Sequence, residues 1–284
     1  MSKFAALLKK DWYLSRKQLL IPVWVVGGYY LLIMIAGLIA YLKFGADIEW
    51  SDFSRLEFPT VGILSYFSSM VMMGLPGLLA LLVTLVLTQS ALNDDVKRNA
   101  ELFHRSQPVS VWQRTLAKFS LSIGGNWAIL ILISAFNFLL MTVLLSIFAQ
   151  FNFWPALAGM VQGLIVYFKI TLVLGSILFL ASAVFRDKAF VITLAILAGV
   201  HSLFIILNFA FGWHLPLPLN YLYELLKFSS ITSLEGDIST VEVRELIREN
   251  WGVIVFNWKT LLQIIFSGIM YAAATLIYKN KEIK

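Results

Sequence analysis

Few side chains in this sequence could do chemistry, and their spacing narrows the choice further. The histidines His104, His201 and His214 are scattered and form no HExxH pair, so no zinc-hydrolase site is built. None of the 17 glycines precedes a lysine, which removes the phosphate-cradling P-loop, and no GxSxG elbow presents a nucleophilic serine. The absence of cysteine excludes disulfides, thiolate chemistry and Cys-ligated metals. The apolar runs also lack the paired carboxylates or acid–base chain of an ion-coupled carrier. No catalytic residue, cofactor or metal is therefore expected. Two features remain. One is a charged, polar segment from Asn93 to Ser110; the other is Lys169, the only charge well inside an apolar run. The chemistry open to the segment is docking: Leu102 and Phe103 are apolar side chains set between the charges of Glu101 and Arg105, and they read either as knobs for a partner's groove or as side chains leaning on the membrane surface.

The elements that must position these residues are membrane spans. Of 284 residues 60% are hydrophobic and 13% charged, and mean hydropathy is +0.82. A soluble domain would be nearer half apolar and a quarter charged, so the excess faces lipid. Apolar runs long enough to cross a bilayer are expected at about 19–42, 62–92, 121–148, 157–185, 189–211 and 260–278. The first 18 residues are polar and the run after them is too long for a signal-peptide core, so no cleavable signal is expected.

Basic residues fix the orientation. Lys3, Lys9, Lys10, Arg16 and Lys17 precede the first span, and Lys97, Arg98, Arg105, Arg114 and Lys118 lie between the second and third. Arg186 and Lys188 sit in a tight turn, and Lys279, Lys281 and Lys284 follow the last span. The alternate loops are acidic or uncharged, so both termini and the charged segment are expected on the cytoplasmic side. The net charge of +6 is then an anchoring pattern rather than a nucleic-acid face. Most tryptophans, including Trp24, Trp112, Trp127, Trp154, Trp213 and Trp258, fall near span ends as an interfacial belt.

Local signals add detail. Residues 1–18 read as an amphipathic interfacial helix, either a plain anchor or a lever from a cytoplasmic partner to the first span. In 93–118, Asn93 or Asp94 can start a helix that Pro108 ends, and Ser110 with Gln113 caps the next one. Gly74-Leu75-Pro76-Gly77 predicts a kink inside the second span, explained by packing or by cavity surface on a transport path. Lys169 either snorkels to the outer surface or faces a substrate path or neighbouring subunit. Asn126, Asn137, Gln162, His201 and Asn208 are expected to bond between helices. Residues 212–258 predict two short extracytoplasmic helices, the first interfacial or re-entrant, the second capped by Ser239 and Glu242 and running to about Asn250.

These residues resemble the ABC-2 type permease family, the membrane subunits of bacterial ABC exporters. The likeness covers the layout of nearly the whole chain. It rests locally on Leu75-Pro76-Gly77-Leu78-Leu79-Ala80, and on Glu101-Leu102-Phe103 followed by Gln107-Pro108-Val109-Ser110 and Lys118. Arg98-Asn99 stand where the family has Gly-Thr, so that part departs from the pattern. The resemblance implies one all-α permease domain over 1–284, with six spans in the bacterial cytoplasmic membrane. It also implies that residues 93–107 are a coupling helix docking on a separate ATP-binding subunit, two of which would pair with two permeases. Glu101, Leu102, Phe103 and Arg105 are then the expected docking contacts. A non-transporting scaffold or sensor that anchors an ATPase is the alternative.

Overall fold

A computed structural model describes residues 3–44, 58–93, 109–148, 151–185, 187–227 and 243–280. All regular elements among them are helical, and no strand occurs among the described residues. In chain order they are α1 (Lys3–Leu19), α2 (Ile21–Phe44), α3 (Phe58–Met72), α4 (Gly74–Ser90) and α5 (Val111–Ser120). A π-helical turn (Leu121–Gly125) joins α5 to α6 (Asn126–Phe148). Then come α7 (Phe153–Val184), α8 (Ala189–Phe211), α9 (Pro218–Leu226), α10 (Val243–Ile254) and α11 (Trp258–Asn280). Six helical stretches are long and apolar enough to cross a bilayer: Lys3–Lys43, Val61–Ser90, Val111–Val143, Phe153–Val184, Ala189–Phe211 and Val243–Asn280. The chain is a multi-pass membrane protein.

Two stretches differ from their expected bounds. The third begins at Val111 rather than near residue 121, because the polar α5 continues through the π-helical turn into α6. The sixth gains α10, which leads into α11 across a short break. Hydropathy alone misses both, since α5 and α10 are amphipathic and bury only one face.

α7 is the hub, packing on α3, α4, α10 and α11. Its buried face is rich in Gly, Ala and Ser, which let helix backbones approach closely where lipid supplies no hydrophobic drive. Gly159 sits so near α3 that a Cβ there would lie 2.3 Å from the Tyr66 carbonyl oxygen, and one at Gly77 would meet the Tyr167 ring at 2.4 Å. α8 is the opposite case, with Ala189 its only residue buried among those described. It touches α7, α9 and α4, and most of its apolar side chains stay exposed.

The helix is interrupted just before Pro76, where the kink was expected. α3 stops at Met72 and α4 starts at Gly74, while Met73 keeps helical dihedrals (φ −74°, ψ −15°). Pro76 is buried, and having no N–H it cannot donate to the Met72 carbonyl; Gly77 N–H picks up the Met73 carbonyl at 2.8 Å.

α1 is packed on the bundle rather than merely lying on a surface. Leu7, Asp11 and Leu19 are buried, and α1 contacts α5, the π-helical turn and α4. Its junction with α2 stays hydrogen-bonded, Leu20 N–H to Arg16 O at 3.0 Å and Trp24 N–H to Leu20 O at 3.2 Å. At the same end of the bundle Tyr278 of α11 packs with Ala91, Leu92, Phe179 and Ala183. The described ends of the chain therefore lie at one end. There Thr115 meets Thr275 at 3.0 Å and Tyr271 at 3.2 Å, joining α5 to α11. Thr115→Val keeps the shape and removes both contacts. It is expected to cost about 1–2 kcal/mol, read as a lower melting temperature in lipid nanodiscs.

Candidate functional site

Glu101, Leu102, Phe103 and Arg105 lie outside the described residues, as does the Ser239–Glu242 cap. The structure does place both borders of the charged segment. Asn93 Nδ2 donates to the Phe185 carbonyl at 2.6 Å, tying the end of the second span to the end of α7. On the far border Ser110 has extended dihedrals and its hydroxyl accepts from Gln113 N–H at 3.2 Å, capping α5 as expected. Eight residues on, Lys118 Nζ donates to the Ala91 carbonyl at 2.6 Å, where the last carbonyls of α4 lack helical partners. Entry and exit of residues 94–108 are thus fastened to α7 and α4 by charge-assisted or buried bonds. Arg114, read as facing water, is instead buried against the bundle at 9% exposure. A cavity of about 60 Å³ adjoins this junction, lined by Asp11 and Gln18 of α1, Ser90 of α4, Lys118 and Ser122.

Above this junction the π-helical turn aims Asn126 inward. Its Nδ2 donates to the Ala80 carbonyl and to Thr84 Oγ1, the latter at 2.7 Å, so the third span is stitched to the second as expected. A wide turn shifts the side-chain register of a helix, and such turns often mark functional positions. The turn lets α5 present Thr115 and Lys118 while α6 presents Asn126.

Toward the other end, α7 carries a second polar set. Lys169 is 5% exposed; its Nζ donates to the Ile254 carbonyl at 2.7 Å and to Thr260 Oγ1 at 2.8 Å. It does not snorkel. Ile254 closes α10 and Thr260 belongs to the first turn of α11, so one ammonium bridges the break between these helices. The carbonyl end of a helix carries partial negative charge and orphan acceptors, which explains why a cation is held there. Two turns away, Tyr66 of α3 donates to Gln162 Oε1, and Asn250 Nδ2 donates to the Tyr66 oxygen at 2.9 Å. Gln162 Nε2 reaches the Ile247 carbonyl at 3.2 Å. Seven residues separate Gln162 from Lys169, and seven separate Ile247 from Ile254. Hence α10 runs alongside α7 in the same direction. The chain end of α9 is held likewise, Gln263 Nε2 donating to the Leu225 carbonyl at 2.6 Å.

This arrangement ties α3, α7, α10 and α11 together through polar side chains. No His/Cys/Asp/Glu group able to hold a metal occurs among the described residues. Lys169 bonds to the end of α10 and the start of α11, and Pro76 is buried in the first turn of α4. Gln162 bonds between helices as expected. Asn208 does not; it closes its own loop by donating to Leu215 O at 3.0 Å and accepting from Leu215 N–H at 2.7 Å. Asn137 and His201 Nδ1 are buried without hydrogen-bond partners among the described residues. Trp24, Trp154 and Trp258 stand exposed as a belt requires, but Trp127 is turned inward, its Nε1 3.4 Å from the Leu164 carbonyl. Tyr66, Asn250, Thr260 and Gln263 were not singled out from sequence. The one signal available was a polar side chain inside or beside an apolar run.

Compared with family models, curated proteins and solved structures, the chain matches none of them.

Proposed function

We propose that this chain is the membrane permease subunit of an ATP-binding cassette exporter, driven by ATP hydrolysis on a separate subunit. In this reading the basic end of the bundle faces the bacterial cytoplasm, and α9 and α10 belong to the outer side. The carrying observation is the pair of fastenings at Asn93 and Lys118. A push delivered to residues 94–108 passes directly to α4, α5 and the end of α7, and α7 in turn holds α10 through Lys169. Two ATP-binding subunits would grip two permeases through Glu101, Leu102, Phe103 and Arg105, and the substrate path would run between the permeases. The lack of any phosphate loop or catalytic pair in the sequence supports an external engine.

The test uses the chain co-purified with its ATPase and reconstituted in vesicles. Phe103→Ala with Arg105→Ala is expected to leave insertion intact, abolish transport, and lower substrate-stimulated ATPase activity at least about tenfold, a loss of about 1.4 kcal/mol in coupling. Unchanged transport by the double variant rejects the docking assignment. ATPase binding without any transported cargo moves the chain to the scaffold reading.

A further inference from the structure

We infer that the helix interruption at Met73 in the second span is completed by a buried water molecule held by Asn137. Asn137 of α6 is 4% exposed, yet neither its Nδ2 nor its Oδ1 has a hydrogen-bond partner among the described residues. A carboxamide left so in an apolar interior is strongly unfavourable, and buried polar groups without protein partners are normally met by ordered water. Asn137 lines a partly open pocket of about 10 Å³ with Ser69 and Met72 of α3, Met73, Ser134 of α6 and Met160 of α7. That is about the smallest space that admits one water.

The proline supplies a second, independent reason. Residue 76 has no N–H, so the carbonyl of Met72, a residue lining this cavity, loses its helical donor. Freed carbonyls at kinks inside membranes are re-satisfied by neighbouring polar side chains and waters. The Ser134 hydroxyl donates to the Leu130 carbonyl at 2.6 Å and keeps its own oxygen available as an acceptor. One water accepting from Asn137 Nδ2 and donating to the Met72 carbonyl and Ser134 Oγ makes three bonds, the usual number for a buried water. Such a water joins α3 to α6 without a fixed protein–protein bond. The interruption can therefore flex by shifting the water rather than by stranding a carbonyl.

A double-mutant cycle between Asn137 and Pro76, read as melting temperature of the full chain in lipid nanodiscs, tests this. Asn137→Leu fills nearly the same volume without polar atoms. In the parent chain it is expected to lower the melting temperature by about 2–4 °C, because the Met72 carbonyl loses its partner. In a Pro76→Ala background, where residue 76 again offers an N–H, the same change is expected to cost nothing or to raise it. A dry cavity gives the reverse sign, Asn137→Leu raising the melting temperature in both backgrounds. Equal falls in both would remove the link to the proline. Either result overturns the inference. If the leucine variant does not fold, Asn137→Ser and Asn137→Ala decide: the serine chain melts higher if a water is bound, and no higher if it is not.

Discussion

Gly159→Ala is expected to destabilise the protein by about 3 kcal/mol or more, although it adds a single methyl group. The new Cβ would lie 2.3 Å from the Tyr66 carbonyl oxygen, and that oxygen belongs to helix backbone, so no rotamer change relieves the clash. α3 and α7 must separate by roughly an ångström along their contact, and overpacking against a rigid neighbour costs at the upper end of its usual range. The separation also stretches the bond from Tyr66 to Gln162, one turn away, and so weakens the hold of α10. Thermal melting in nanodiscs should show a fall of about 6–12 °C. A shift of less than about 2 °C would mean that α3 and α7 do not approach as closely as described. Gly163, which a Cβ would bring only to 3.4 Å from the flexible Met73 side chain, is the control position and should tolerate alanine far better.

Lys169→Met is the second large effect, and its sign depends on two opposing terms. Burial penalises the ammonium, so removing it relieves a cost, and methionine keeps an unbranched apolar chain of similar length. Against that, the Ile254 carbonyl at the buried end of α10 and the Thr260 hydroxyl both lose the ammonium and keep only the longer 3.4 Å bond between them. Hydrogen bonds from charged groups contribute about 1.5–3 kcal/mol each, so losing two outweighs the relief and a net cost of about 2–3 kcal/mol is expected. The damage should be local. Limited proteolysis and amide exchange are expected to open residues 243–257 first, while α4 and α5 stay protected. A variant whose protection over that stretch equals the parent's would show that Lys169 does not fasten α10. Thr260→Val, which leaves the ammonium bonded to Ile254, should cost only about 1 kcal/mol.

The two sets of residues behind these effects were unequally legible in the sequence. The spans could be read because lipid imposes one rule on every residue facing it, and runs such as 189–211 satisfy that rule along their whole length. Local rules also held. Ser110 and Gln113 are three residues apart, and a cap needs no knowledge of the rest of the chain. Lys169 could be noticed but not interpreted, since its partners are 85 and 91 residues away and one of them is a backbone carbonyl, which has no sequence signature. Tyr66 and Asn250 are 184 residues apart and were missed for the same reason. Asn126 and Asn137 looked alike in sequence, yet one is bonded to α4 and the other faces a cavity. Eleven residues apart, they share one face of α6; what separates them is the neighbour at each depth, Ala80 and Thr84 of α4 for one and the Met72–Met73 junction for the other. The residues expected to grip an ATPase lie in a segment that is legible in sequence only through its charge and its flanks.

The grip of Lys169 on Ile254 has a consequence for how the chain is made. A ribosome adding about 5–20 residues per second needs about 4–17 s to travel from codon 169 to codon 254. During that interval the fourth hydrophobic segment has emerged with a lysine whose acceptor does not yet exist. An unmated lysine at the centre of a bilayer costs about 2.5–3.5 kcal/mol on translocon-insertion scales. Until the C-terminal segment arrives, that cost is uncompensated by the Ile254 carbonyl, and the bond that meets the lysine is among the last the chain can make.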